Sequence, residues 1–245
     1  KLKTQKLIDN WFAKYPGIPG KLDNYIITSK MDGVSGMFYN ENGERKLYTR
    51  GNGKMGQDIS HIIPYLPQLK SVLDEKVTLR GELIMKKSVF QKKYAESFAN
   101  ARNLVSGIVN QSKNLDNPET IAKFKDLSFI CYEVVFPHLD PERQSAMFTQ
   151  VNGPDTPIMT QVVPSITMEE LSGLLKQWRA EYQYEIDGVI VTANVANIAK
   201  VRAGKVGKDS KVKNPDHAFA FKMILDDQFV ETFVTGVEWN PSKDG

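Results

Sequence analysis

Cysteine is nearly absent, with Cys131 the one example in 245 residues. No internal disulfide can form, and three dispersed histidines add no zinc-ligand spacing. Cys131 lies in the apolar run SFICYEVVF without a histidine motif, so it reads as a core residue rather than a nucleophile. A reducing, intracellular, cytoplasmic setting is expected. No apolar run approaches the roughly 20 residues needed to cross a bilayer, and the first residues lack a signal-peptide pattern. No membrane role is therefore expected. Repeats and low-complexity tracts are missing too. What remains is an ordinary soluble composition, 41% hydrophobic and 25% charged, long enough for one large domain.

Charge is uneven. Residues 200–213, KVRAGKVGKDSKVK, carry +5 in a chain of net charge +3, leaving −2 elsewhere. A basic, glycine-containing segment on a near-neutral body suits phosphate contact, and equally suits a solvated loop.

Periodicity organises the rest. TQKLIDNWFAKY places Leu7, Ile8, Trp11, Phe12 and Tyr15 at helical spacing behind a Thr4 cap. Strands are expected at 24–29, 34–39, RKLYTR, 77–85, 128–136, 188–193 and 218–224, all rich in β-branched and aromatic residues. Helices are expected from Ser88, over 101–112, and over 168–183, where Thr167 and Glu170 form a capping box. The strands and helices do not alternate regularly. The fold class is therefore α+β, with mainly antiparallel sheets and flanking helices. From about residue 229 a new strand begins.

Strand alternation decides which side chains share a face. In VTLRGELIM, Val77, Leu79, Leu83 and Met85 form the apolar side, while Arg80 and Glu82 share the other. In AFAFKM, Ala218, Ala220 and Lys222 face together, leaving room for a flat ligand and a cation for its phosphate. Lys30-Met31-Asp32-Gly33 supplies a lysine in a tight turn. A lysine amine, with a reference pKa near ~10.4, becomes nucleophilic when desolvation or neighbouring cations lower that value. Lys222, Arg80, Arg50 or a metal ion are the candidate neighbours.

Read in order, these segments resemble the adenylation domain of bacterial-type NAD-dependent DNA ligases. KMDG (30–33) looks like the K-x-D-G of covalent nucleotidyltransferases, and TRGNGKMGQDIS (49–60) like TRGDGxxGEDVT. LRGEL (79–83) is similar to VRGEV, FANARNLVSG (98–107) to FANPRNAAAG, and EIDGVIV (185–191) to EIDGVVIK. AFAFK (218–222) is similar to AxAYK, and VEWNPSKDG (237–245) to the WQVGRTG that opens an oligonucleotide-binding (OB) domain. The seven matches are collinear and cover most of residues 30–245.

The resemblance implies a nucleotidyltransferase domain over 1–228 and the start of an OB-type β-barrel over 229–245. It implies that Lys30 attacks the α-phosphate of NAD, with ATP the alternative donor, and that the adenylate passes to the 5′-phosphate of nicked double-stranded DNA. Lys30, Asp32 and Lys222 would be catalytic. Arg50, Arg80, Glu82, Arg102 and Asp187 would join them around the nucleotide. Glu82 and Asp187 are candidates for ribose, lysine or Mg²⁺ contacts, Lys222 and Arg102 for phosphate. An ATP-dependent DNA or RNA ligase, a capping-type enzyme and a non-catalytic DNA-binding module are the competing readings. The chain is expected to be a monomer, alone or with further ligase domains or a partner subunit.

Three departures mark a divergent, viral or phage branch. Thr28 stands where bacterial members carry a glutamate that helps recognise adenine, Thr192 where they carry a lysine, and Asn110 where they carry an arginine. The 29 residues before Lys30 are too few for the separate domain that docks nicotinamide mononucleotide in bacterial enzymes.

Overall fold

The computed structural model describes residues 5–51, 55–70, 72, 76–110, 117–139, 141–194, 216–223 and 235–236. The basic segment 200–213 and the expected boundary at 228 lie outside them, as does the Thr4 cap.

Two four-stranded antiparallel sheets organise the chain. The first runs β6 (Thr160–Val163), β1 (Tyr25–Met31), β7 (Ile186–Ala193), β8 (Ala218–Phe221). The second runs β3 (Glu44–Thr49), β2 (Val34–Glu41), β4 (Lys76–Met85), β5 (Leu127–Phe136). The α+β class and the antiparallel sheets are those expected from the pattern of apolar residues.

Each sheet buries one face. In β1, Tyr25, Ile27, Ser29 and Met31 point inward, and Ile26, Thr28 and Lys30 are half-exposed on the other side. The inward face packs with Ile8 and Trp11 of α1 (Gln5–Lys14) and with Leu171, Leu175 and Trp178 of α7 (Met168–Glu181). Trp11 meets Phe219 edge-on at 4.7 Å between ring centres. The second sheet buries Phe38, Leu47, Leu79, Leu83 and Phe129 with Leu104, Val105 and Ile108 of α4 (Ala101–Asn110). Each such side chain contributes about 1.5–3 kcal/mol on burial, so each sheet is anchored from behind by its helices.

The sheets join below that free face. Ile84 and Ile130 of the second sheet belong to the core of the first, and the Tyr184 hydroxyl donates to or accepts from Ser128 Oγ at 3.0 Å. Asp32 and Gly33 carry the chain from β1 to β2, with the Asp32 N–H bonded to the Glu185 carbonyl.

The expected capping box at Thr167 and Glu170 is present at the start of α7. The helix expected from Ser88 is α3 (Lys87–Lys93), whose N-cap is Lys86. Lys86 bridges Tyr184 and the Lys87 N–H donates to the Gln183 carbonyl, so tertiary pairing starts the helix without a side-chain cap. Five elements come in addition: the short 3-10 helix at Ser60–Tyr65, the single turn α2 (Pro67–Lys70), α5 (Pro118–Lys125), α6 (Pro141–Asn152) and edge strand β6. Among the described residues, no helix is long and apolar enough to cross a membrane.

Candidate active site

The free faces of the two sheets line a cleft, and six of the eight expected site residues meet there. Lys30 comes from the end of β1, Asp187 from β7 and Lys222 from just past β8. Glu82 comes from β4 of the opposite sheet. Asp32 lies in the crossing between the sheets, and Arg102 in the first turn of α4.

A ladder irregularity delivers Asp187. Lys30 pairs with Gly188 but Met31 pairs with Ile186, so Asp187 is an extra residue in β7. Such a bulge re-aims a side chain that regular alternation would send to the core. Its Oδ1 lies 2.9 Å from Lys30 Nζ, and its Oδ2 contacts Lys222 Nζ. One carboxylate therefore bridges two lysines from two strands. Gly188 makes this possible, because a Cβ there would lie 2.3 Å from the Phe221 carbonyl oxygen and 3.0 Å from Lys222 Cγ.

Across the cleft, Glu82 Oε1 accepts from the Gly33 N–H at 3.2 Å. A Cβ on residue 33 would stand 2.2 Å from the Leu83 carbonyl oxygen, so the glycine of K-x-D-G permits a close approach of backbone to carboxylate. Burial pushes Glu82 up to about 7, opposed by the charge of Lys30, the Gly33 N–H and Arg102. Arg102 pairs with Asp32, and that hydrogen bond raises its guanidinium pKa further. The cluster thus sets Lys30, Lys222 and Arg102 against Asp32, Asp187 and the Glu82 carboxyl that burial raises to about 7. Its balance favours an anionic ligand such as a phosphate chain.

Arg50 and Arg80 take other positions. Arg50 is exposed at the end of β3, its N–H bonded to the Ser35 carbonyl. Arg80 shares the cleft face with Glu82 but pairs with Glu133 at 2.5 Å.

Two cleft residues, Tyr132 and Glu133, escape a reading of the sequence. Tyr132 is the extra residue of a second bulge, since Arg80 pairs with Glu133 and Gly81 with Cys131. Its hydroxyl lies 2.8 Å from Ser35 Oγ, and burial followed by the charge of Glu82 pushes it up to about 12. The Tyr-Glu pair interrupting the apolar run 127–136 is the signal that could have marked it.

The two-sheet fold is that of a nucleotidyltransferase adenylation domain. Residues 4–224 match the NAD-dependent DNA ligase adenylation domain, and the chain belongs to that family. A DNA ligase of Acanthamoeba polyphaga mimivirus is 34% identical over 244 residues, covering 98% of this chain and 35% of that protein. A protein of Invertebrate iridescent virus 6, named as a candidate DNA ligase, is 36% identical over 254 residues, covering 100% of this chain and 38% of that protein. The chain thus spans little more than a third of these relatives. The solved ATP-dependent DNA ligase of bacteriophage T7, in complex with ATP, aligns with 78% of this chain and 60% of its own at a TM-score of 0.44 and 20% identity.

Proposed function

We propose that this chain forms lysyl-AMP on Lys30 from NAD and passes the adenylate to the 5′-phosphate of nicked double-stranded DNA. The observation that carries this is the bridge of Lys30 and Lys222 by Asp187, facing Glu82 across the cleft. Family membership supports NAD as donor; ATP is the alternative.

In the first step the neutral Lys30 amine attacks the α-phosphorus. An N–P bond forms as the P–O bond to nicotinamide mononucleotide breaks, the electron pair leaving on its phosphate and the amine proton passing to solvent. Lys222 and Arg102 are placed to offset charge on the α-phosphate, the largest effect a fixed site can supply. Asp187 orients Lys30, and Asp32 orients Arg102. The adenylate then moves to the DNA 5′-phosphate, and the 3′-hydroxyl displaces AMP, so one displacement is divided into three.

The residues present fit Mg²⁺. Glu82 and Asp187 are hard oxygen donors, and a carboxyl raised by burial is one that a dication would return to its ionised form. They would hold the ion, which supplies charge neutralisation to the phosphates when bound.

The adenylation domain is proposed to run to about residue 228, followed by the start of an OB domain, with the protein acting as a monomer beside further ligase domains. Cys131 is buried, and that burial pushes its thiol up to about 12, so it is an inert core residue.

Intact-mass spectrometry with Mg²⁺ and NAD, ATP or GTP tests the reading. One added AMP with NAD is expected, and none in Lys30→Ala. A freshly purified sample should be weighed alongside, since the lysine can arrive already charged. An adduct that persists in Lys30→Ala would overturn the assignment of the nucleophile, and an adduct with ATP alone would reassign the donor.

A further inference from the structure

β5 is the outer strand of the second sheet, and among the described residues no strand pairs with its other side. Its ladder to β4 breaks twice. Tyr132 is the extra residue at one break, and Val135 at the next, because Leu79 pairs with Val134 but Thr78 with Phe136. Glu133 and Val134 are therefore a two-residue piece of ladder between two bulges. Pairing alone fixes the phase of so short a piece weakly. A slip of one residue would turn Val134 toward the cleft and Glu133 toward the core.

Helix α6 supplies the bonds that a further strand would make. The Gln144 side chain accepts from the Val134 N–H at 3.1 Å and donates to the Val134 carbonyl at 3.2 Å. The Asn152 side chain accepts from the Cys131 N–H at 2.7 Å and donates to the Cys131 carbonyl at 3.0 Å. Each carboxamide thus exchanges two bonds with one residue, as a hydrogen-bonded partner does in an antiparallel ladder. The spacing agrees, since eight residues of helix rise about 12 Å and three residues of strand about 10 Å. The helix is itself anchored, with Val151 and Asn152 buried and Met147 and Phe148 packed on the second core.

Cys131 and Val134 stand on either side of Tyr132 and Glu133. The two clamps therefore bracket the residues that the strand turns toward the cleft. Tyr132, bonded to Ser35, and Glu133, paired with Arg80, form the cleft wall beside Glu82.

We infer that Gln144 and Asn152 are positioning residues for nucleotide binding, fixing the bulge of β5 and through it the wall that Tyr132 and Glu133 present to the nucleotide. The inference rests on the adenylation reading and extends it to two side chains that bind the outer edge of β5.

Gln144→Met keeps the length of a half-buried side chain and removes both of its bonds. Asn152→Asp keeps the acceptor and loses the donor. Amide hydrogen exchange reads the clamp directly, and the Val134 N–H should exchange at least about tenfold faster in Gln144→Met. The rate of adduct formation is then followed against NAD concentration. A wall that meets substrate and transition state alike sets the half-saturating concentration and leaves the limiting rate in place. Half-saturation should rise at least about threefold in each variant, the scale of one neutral hydrogen bond, with the limiting rate within about twofold of wild type. A lower reacting fraction at every concentration with half-saturation unchanged would mean a structural role alone and overturn the inference. Unchanged exchange at Val134 would overturn it as well. Should the buried Asn152→Asp fail to fold, Gln144→Met decides. If wild type forms no adduct with any donor, the adenylation reading fails. Calorimetry of AMP binding to Lys30→Ala, with and without Gln144→Met, then decides the clamp: binding weakened at least about threefold keeps it, and equal binding or none removes it.

Discussion

Glu82 is the residue whose titration is displaced toward neutrality. Burial raises it from an ordinary 4.5 to about 7, so the folded protein holds this proton more tightly than the unfolded chain. The resulting stability is present in full below about pH 4.5. It is lost as pH rises through about 7, by at most about 3 kcal/mol at ~1.4 kcal/mol per unit. Without ligand, urea midpoints should therefore fall between pH 5 and pH 8 in wild type and fall less in Glu82→Gln. An equal fall in both would show that another group is responsible. Most of this chemistry could be read from residue types in order: Lys30, Asp32, Glu82, Arg102, Asp187 and Lys222 all reach one cleft. The destinations of Arg80 and Arg50 could not, because a strand position fixes a face but not the partner across it. Glu133, which holds Arg80, lies 53 residues away on β5.

At the scale of elements, strands and the amphipathic helices were legible because each buries one face with the expected period. α6 and β6 were not. α6, PERQSAMFTQVN, mixes polar and apolar residues with little periodicity, and the four residues of β6 are largely exposed, so neither has a clear apolar stripe to announce it. The bulges were also hidden: alternation from Val189 and Val191 would send Asp187 to the core, and alternation from Phe129 and Cys131 would send Glu133 there. Two variants separate element stability from site geometry. Thr167→Ala should lower stability by about 1 kcal/mol through loss of the α7 cap while leaving adduct formation intact, a pair of readings that urea unfolding and intact mass supply. Gly188→Ala forces a Cβ against the Phe221 carbonyl and Lys222, spreading β7 from β8. It should cost about 1–3 kcal/mol and reduce adduct formation even at temperatures where the variant is fully folded. Full activity in the folded variant would mean that Lys222 tolerates displacement.

For the whole molecule, the site is shared between two sheets with separate cores. Lys30, Asp187 and Lys222 move with the first, Glu82 and Tyr132 with the second, and Arg102 with the helix packed behind the second. Ile84, Ile130 and the Tyr184–Ser128 bond hold the sheets together beneath the cleft. Sequence order alone could not show which half each motif joins. KMDG ends a strand of one sheet and leads into a strand of the other, and only the topology reveals that it spans the cleft.

The bulge at Asp187 also sets what kind of change this domain tolerates least. Replacing a side chain leaves the count of residues in β7 intact, and neighbouring strands keep their phase. Removing Asp187 itself would restore an unbroken ladder between β1 and β7, and the sheet would become more regular. That same gain in order would erase the carboxylate that joins the two lysines. On the proposed mechanism, length in this strand is a functional trait: a deletion that improves the pairing should abolish adduct formation, which intact-mass spectrometry of the folded deletion variant would check.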